Sequence, residues 1–191
     1  MSKLFKGNVT NNVVELNLLD SAGTPTVITK NTGANVVEQI VGPISSNAYG
    51  YGSNGGYDVK GLVIGTSCTS IGDNAFSACT NLTGSLIIPD SVTSIGSYAF
   101  QDTEFSSRFI PDSVTSIGNY AFAYNFTSTT DYVGCPASSF TGSNAFYGCD
   151  LLNTLYAKDA VSNGYTLGSQ TFQGRSLTIA NWDNYPNPIP N

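Results

Sequence analysis

The chain has 191 residues, of which only 10% are charged, 40% hydrophobic and 12% aromatic, and its formal net charge is −6. That balance excludes a disordered chain, which needs high charge and few aromatics. It also argues against nucleic acid and anionic membranes, whose recognition needs clustered positive charge. No apolar run approaches the roughly 20 residues of a membrane span. The absence of any histidine removes Ser-His-Asp and Cys-His catalysis and imidazole metal sites, so neither a metal nor a cofactor is expected.

The opening Met-Ser-Lys-Leu-Phe-Lys-Gly-Asn lacks the apolar stretch of a secretory signal peptide, which predicts a chain not marked for general secretion. Residues 1–43 read as a β-rich segment. "NVVELNLLD" (12–20) and "TVITKN" (26–31) are predicted strands joined by a Ser-Ala-Gly-Thr-Pro hairpin turn, and "ANVVEQIVG" (34–42) is a strand or a short helix. The segment serves either as a cap on the rest of the chain or as a docking module for a larger assembly. A formal G-x-G-x-x-G at Gly50–Gly55 leads into a strand rather than a helix, so it reads as a loop and not a dinucleotide site.

From residue 44 to 182 the chain repeats itself. "TSIGDNAF" (69–76), "TSIGSYAF" (93–100), "TSIGNYAF" (115–122), "FTGSNAF" (140–146) and "YTLGSQTF" (165–172) align on Gly72, Gly96, Gly118, Gly142 and Gly168 at steps of 24, 22, 24 and 26 residues. A degenerate member, "SSNAY" (45–49), precedes them. Self-similarity at this period predicts a β-rich solenoid of about six coils. Each coil opens on a short apolar strand: "LVIG" (62–65), "LIIP" (86–89), "RFIP" (108–111), "DYVG" (131–134), "TLYA" (154–157) and "LTIA" (177–180). Strands recurring once per coil pair in parallel about 4.8 Å apart. Pro89 and Pro111 stop their strands, and Asp90 and Asp112 suit the turn after each. Val92, Ile95, Ala99 and Phe100, with Val114, Ile117, Ala121 and Phe122 one coil on, point inward. Gly96 and its equivalents meet a close approach or a backbone conformation that a side chain forbids.

The strand, the ensuing Ile-Pro-x-Ser-Val-Thr-x-Ile-Gly-x-x-Ala-Phe and the trailing x-x-Cys-x-x-Leu resemble the BspA-type leucine-rich repeats, closely over 86–122 and more loosely over 140–180. The resemblance implies a leucine-rich-repeat-like stack and non-catalytic binding, often adhesion to cells or matrix, with some members in viruses and phages. It also places Cys79 and Cys149 at a core position three residues after the repeat Phe, and Cys68 fills the slot of Val92 and Val114. Cys135 has no such slot; all four are expected as free thiols. "WDNYPNPIPN" (182–191) cannot continue the stack; Trp182 and Tyr185 lie over the last coil as a lid, or 183–191 is a loose Pro-rich tail.

Two surface rows are candidate interfaces. With Leu62, Ile64, Leu86 and Ile88 inward, strand alternation turns Val63, Ile87 and Phe109 outward, and Tyr132 extends the line. The alternatives are that the N-terminal region or a neighbouring subunit covers it, or that the register is off by one. Asn74, Tyr98, Tyr120, Asn144 and Gln170 form a second row on the turn side, suited to sugars or proteins or simply solvated. Asp90 and Asp112, one coil apart, are the remaining option for carboxylate hydrolysis, but turn geometry alone accounts for both. Sequons at Asn8, Asn81 and Asn125 match chance in so Asn-, Ser- and Thr-rich a chain. The expected function is non-enzymatic recognition of a protein or glycan at a surface, as a virion-associated fibre, appendage or decoration protein. The alternative is a cell-surface adhesin-like protein whose leader or anchor is missing.

Overall fold

The computed structural model describes residues 7–10, 13–19, 25–31, 37–41, 44, 46–47 and 61–182, with side chains for 44, 46, 47, 62 and 64–182. The Gly50–Gly55 motif, Tyr185 and the side chains of Asn8 and Val63 lie outside the described residues.

Strands β1 (Gly7–Thr10), β2 (Val13–Leu19), β3 (Pro25–Asn31) and β4 (Val37–Val41) pair antiparallel in sequence order, and β4 runs parallel to β5 (Gly61–Ile64). The two expected hairpin strands therefore pair with each other, and the third apolar stretch is a strand. β1, made of Gly-Asn-Val-Thr, carries no apolar alternation by which it could have been read.

The repeating region is a solenoid with a second, six-stranded sheet. β7 (Thr83–Ile87), β9 (Glu104–Ile110), β11 (Thr130–Val133), β12 (Thr154–Ala157) and β14 (Arg175–Asn181) run parallel, one per coil. A narrower sheet stacks β6 (Ser70–Ile71), β8 (Ser94–Ile95) and β10 (Ser116–Ile117), extended by a parallel bridge from Ile44 to Ile71. The degenerate "SSNAY" joins here too: the Asn47 N–H donates to Asp73 O at 2.7 Å, and Asn47 shares the positive φ of Asn74.

The inward set is as expected, with Val92, Ile95, Ala99, Phe100 and their equivalents in the next coil at 1% exposure or less. Phe76, Phe100, Phe122 and Phe146 form a continuous stack with centroid spacings of 5.2, 5.7 and 5.9 Å. Burying one such ring per coil contributes about 2–3 kcal/mol gross, less than one coil's ordering entropy, so stability comes from stacking. The repeat glycines answer to close approach: a Cβ on Gly96 would lie 2.5 Å from the Asp73 nitrogen, and one on Gly118 2.5 Å from that of Ser97.

At the turn side, Asn74, Tyr98, Tyr120 and Asn144 have φ between 53° and 61°, and Ala78, Asp102 and Tyr124, four residues on, have φ of 57–62°. Two left-handed residues per coil aim the intervening amides along the stack. The N–H groups of Tyr98, Phe100 and Asp102 donate to the carbonyls of Asn119, Ala121 and Ala123 one coil ahead. For a tyrosine this backbone costs about 1 kcal/mol or more, offset by the ladder it completes.

Two expectations are corrected. "YTLGSQTF" does not form a fifth turn: Gly168–Phe172 is strand β13, antiparallel to β14 at the edge of the large sheet. Its glycine has φ +102° and no contact within 4 Å of a Cβ, unlike Gly96 and Gly118, and the left-handed slot passes to Gln173. Gln170 therefore leaves the turn row and donates to Thr166 O. Phe172 still packs against Phe140, Phe146 and Tyr165, so the hairpin closes the core with the residue that suggested a repeat. Nor does Trp182 lie as a lid over the last coil; it packs on the outward face of the large sheet.

All four cysteines are buried and free. Where Cys79 and Cys149 sit, the two middle coils carry Thr103 and Asn125, also buried. Asn125 Nδ2 donates to Thr103 O and Phe105 O, so this sequon asparagine is a core residue.

Candidate functional site

Strand register decides the outward face. Ile87 pairs with Phe109, Phe109 with Tyr132, Tyr132 with Tyr156 and Tyr156 with Ala180, which places their side chains in one line across five coils. Ile87 is 42% exposed. Phe109, Tyr132 and Tyr156 are half-buried, and Tyr132 and Tyr156 stack at 5.6 Å. Trp182 meets Phe109 edge-on at 5.1 Å and Tyr132 at 5.9 Å. Among the described residues, Trp182 supplies partial cover of this line. Tyr156 was missed, although "TLYA" repeats the register of "DYVG" and carries the signal.

Beyond the strand ends the same coils line a groove of about 340 Å³. Buried Pro111 and Gly134 form its floor, half-buried Phe109 and Trp182 a wall, and exposed Asp90, Asp112 and Lys158 the rim. Lys158 Nζ donates to Asp112 Oδ2 at 2.9 Å. That hydrogen bond holds the Asp112 carboxyl below its usual range and raises the Lys158 ammonium. A depressed carboxylate is the reverse of what a general acid needs.

The turn row is in part assembled. Tyr98 and Tyr120 stack at 5.4 Å with rings 2° from parallel, and Asn144 Nδ2 donates to the Tyr120 hydroxyl at 3.0 Å. Tyr147 meets both Tyr120 and Tyr124 edge-on, which widens the row beyond the residues expected in it.

Inside the coils lies a feature that the apolar pattern concealed. Arg108 and Asp131 occupy the inward strand position held by Leu86 and Leu155, on adjacent rungs, and both side chains are fully buried. Arg108 Nε and Nη2 donate to Asp131 Oδ2 at 2.8 and 2.5 Å, and Nη1 donates to Phe122 O. The Arg108 backbone N–H and Ser128 Oγ donate to Asp131 Oδ1. The guanidinium lies 5.6 and 5.5 Å from the Phe122 and Phe146 rings. Burial penalises the charge, but the Asp131 carboxylate outweighs it and holds Arg108 above its ordinary value. The cluster is enclosed, so it is structural.

The family model for BspA-type leucine-rich repeat regions matches residues 44–181 in six copies. The chain belongs to the BspA-type leucine-rich repeat family. Among solved structures it is similar to a leucine-rich repeat protein from Bacteroides ovatus, at 20% identity over 79% of this chain and 49% of that one, TM-score 0.46. It is similar to a leucine-rich cell surface protein from Faecalibacterium prausnitzii, at 20% identity over 80% and 54%, TM-score 0.34. A leucine-rich repeat protein from Eubacterium ventriosum aligns at 14% identity over 80% and 72%, TM-score 0.24. The chain spans about half the length of the first two. No curated protein matches it. Among the described residues no helix is long and apolar enough to cross a membrane.

Proposed function

We propose that this BspA-type solenoid is a non-enzymatic recognition protein that binds a protein partner at a surface through the outward face of its parallel sheet. One observation carries the reading: the in-register line of Ile87, Phe109, Tyr132 and Tyr156. Solvated strand faces ordinarily alternate to polar residues, whereas this one presents aliphatic and aromatic groups of the kind enriched at protein interfaces. A flat strip suits a protein more than a single sugar ring. A general-acid role is disfavoured for Asp112, which is exposed and whose carboxyl the Lys158 hydrogen bond holds below its usual range.

The test is partner capture by photo-crosslinking from Ile87, followed by rebinding of the captured protein. Ile87→Lys, at an exposed position, abolishes rebinding while the circular dichroism stays native; undiminished rebinding refutes the strip. Mass spectrometry of purified virions, set against surface labelling of cells, separates the virion reading from the adhesin one.

A further inference from the structure

The groove beside the strip has a chemistry of its own. We propose that it binds a neutral pyranose, such as the terminal hexose of a glycan, with Trp182 and Phe109 against the sugar's C–H face and Asp90, Asp112 and Lys158 on its hydroxyls.

The rim selects the ligand's charge. Lys158 and Asp112 neutralise each other at the rim and Asp90 adds one further carboxylate, which disfavours an anionic ligand. A polyhydroxylated neutral ligand uses all three, because a hydroxyl both donates to carboxylates and accepts from an ammonium. The Lys158–Asp112 pair at 2.9 Å holds acceptor and donor side by side, the arrangement that two neighbouring ring hydroxyls require. The aromatic pair offers an apolar surface next to those polar groups, and the volume of about 340 Å³ lies within the range of small-molecule sites. The groove draws on coil ends, whereas Ile87 and Tyr156 of the strip do not line it, so the two surfaces are separable by mutation.

Trp182 is the chain's only tryptophan, so intrinsic tryptophan emission comes from the wall of this groove. The full chain is titrated with methyl glycosides of glucose, galactose, mannose and N-acetylglucosamine, with methylguanidinium as the cationic control and methyl glucuronide as the anionic one. At least one neutral glycoside gives a saturable change. Asp90→Ala and Lys158→Met each weaken that binding about 10-fold, and both controls stay flat. The inference is overturned if no neutral glycoside saturates, if either charged control binds more tightly, or if binding is unchanged in both variants. Ile87→Lys leaves glycoside binding intact. If glycosides fail while Ile87→Lys still abolishes protein rebinding, the groove reading falls and the strip reading stands.

Discussion

Replacing Arg108 and Asp131 singly and together tests the interior most directly. Asp131→Leu leaves a guanidinium with the Phe122 carbonyl, the Cys149 sulfur and two ring faces, none of which carries a full opposite charge. It also strips partners from the Arg108 N–H and Ser128 Oγ. Breaking a buried pair in this way costs about 3–5 kcal/mol, and this variant belongs at the upper end. Arg108→Leu belongs at the lower end, because Asp131 keeps the backbone N–H of residue 108 and the Ser128 hydroxyl as donors. In the double variant both positions become what Leu86 and Leu155 already are on the flanking rungs. Its stability should fall within about 1 kcal/mol of the parent, for a coupling of at least about 5 kcal/mol between the two sites. Urea denaturation followed by Trp182 emission and by far-ultraviolet circular dichroism supplies all four corners, the coincidence of the two probes checking that unfolding stays cooperative. If Asp131→Leu costs less than about 1 kcal/mol, or the double variant loses the sum of the singles, the pair is not a dry, mutually dependent clip.

Two further outcomes rest on the packing. Gly118→Ala should cost about 1–3 kcal/mol in the urea midpoint, because its Cβ meets the Ser97 backbone at 2.5 Å; an unshifted midpoint would show that adjacent coils can part. Burial pushes the Cys135 thiol up to about 11 from 9.0. Below pH 9 the thiol is neutral folded and unfolded alike, and above it only the unfolded chain ionises, so stability falls between pH 9 and 11 by about 2–3 kcal/mol. Cys135→Ala should flatten that alkaline limb in pH-stepped denaturation; an identical limb would locate the loss elsewhere.

The coil period, the inward Val, Ile, Ala and Phe and the parallel rungs were legible because each recurs with fixed spacing and each answers to burial. What escaped were residues whose roles depend on a neighbour one coil away. Arg108 and Asp131 look polar in sequence, and only their shared register with Leu86 reveals that they face inward as a pair. The left-handed backbone at Tyr98 and Tyr120 left no trace, since asparagine marks that conformation and in this slot only Asn47, Asn74 and Asn144 carry it. Gly168 and Phe172 kept the repeat's spacing but lost the crowding that makes the other glycines obligatory, so the alignment ran one turn too far. Trp182 comes after a strand and carries no local signal for the rungs it reaches back to touch.

The amide ladders also set how the molecule bears load. Sheet and turn hydrogen bonds alike point from coil to coil, so tension along the stack strains the interfaces in series and peels them one at a time rather than shearing a whole sheet at once. The other interfaces are fastened by amides, hydroxyls and dispersion, but the one between the rungs of Arg108 and Asp131 is also riveted by a buried ionic bond, with two guanidinium nitrogens on one carboxylate oxygen. A pulled chain should therefore shed its outer coils first and keep that central joint longest, yielding gradually instead of snapping.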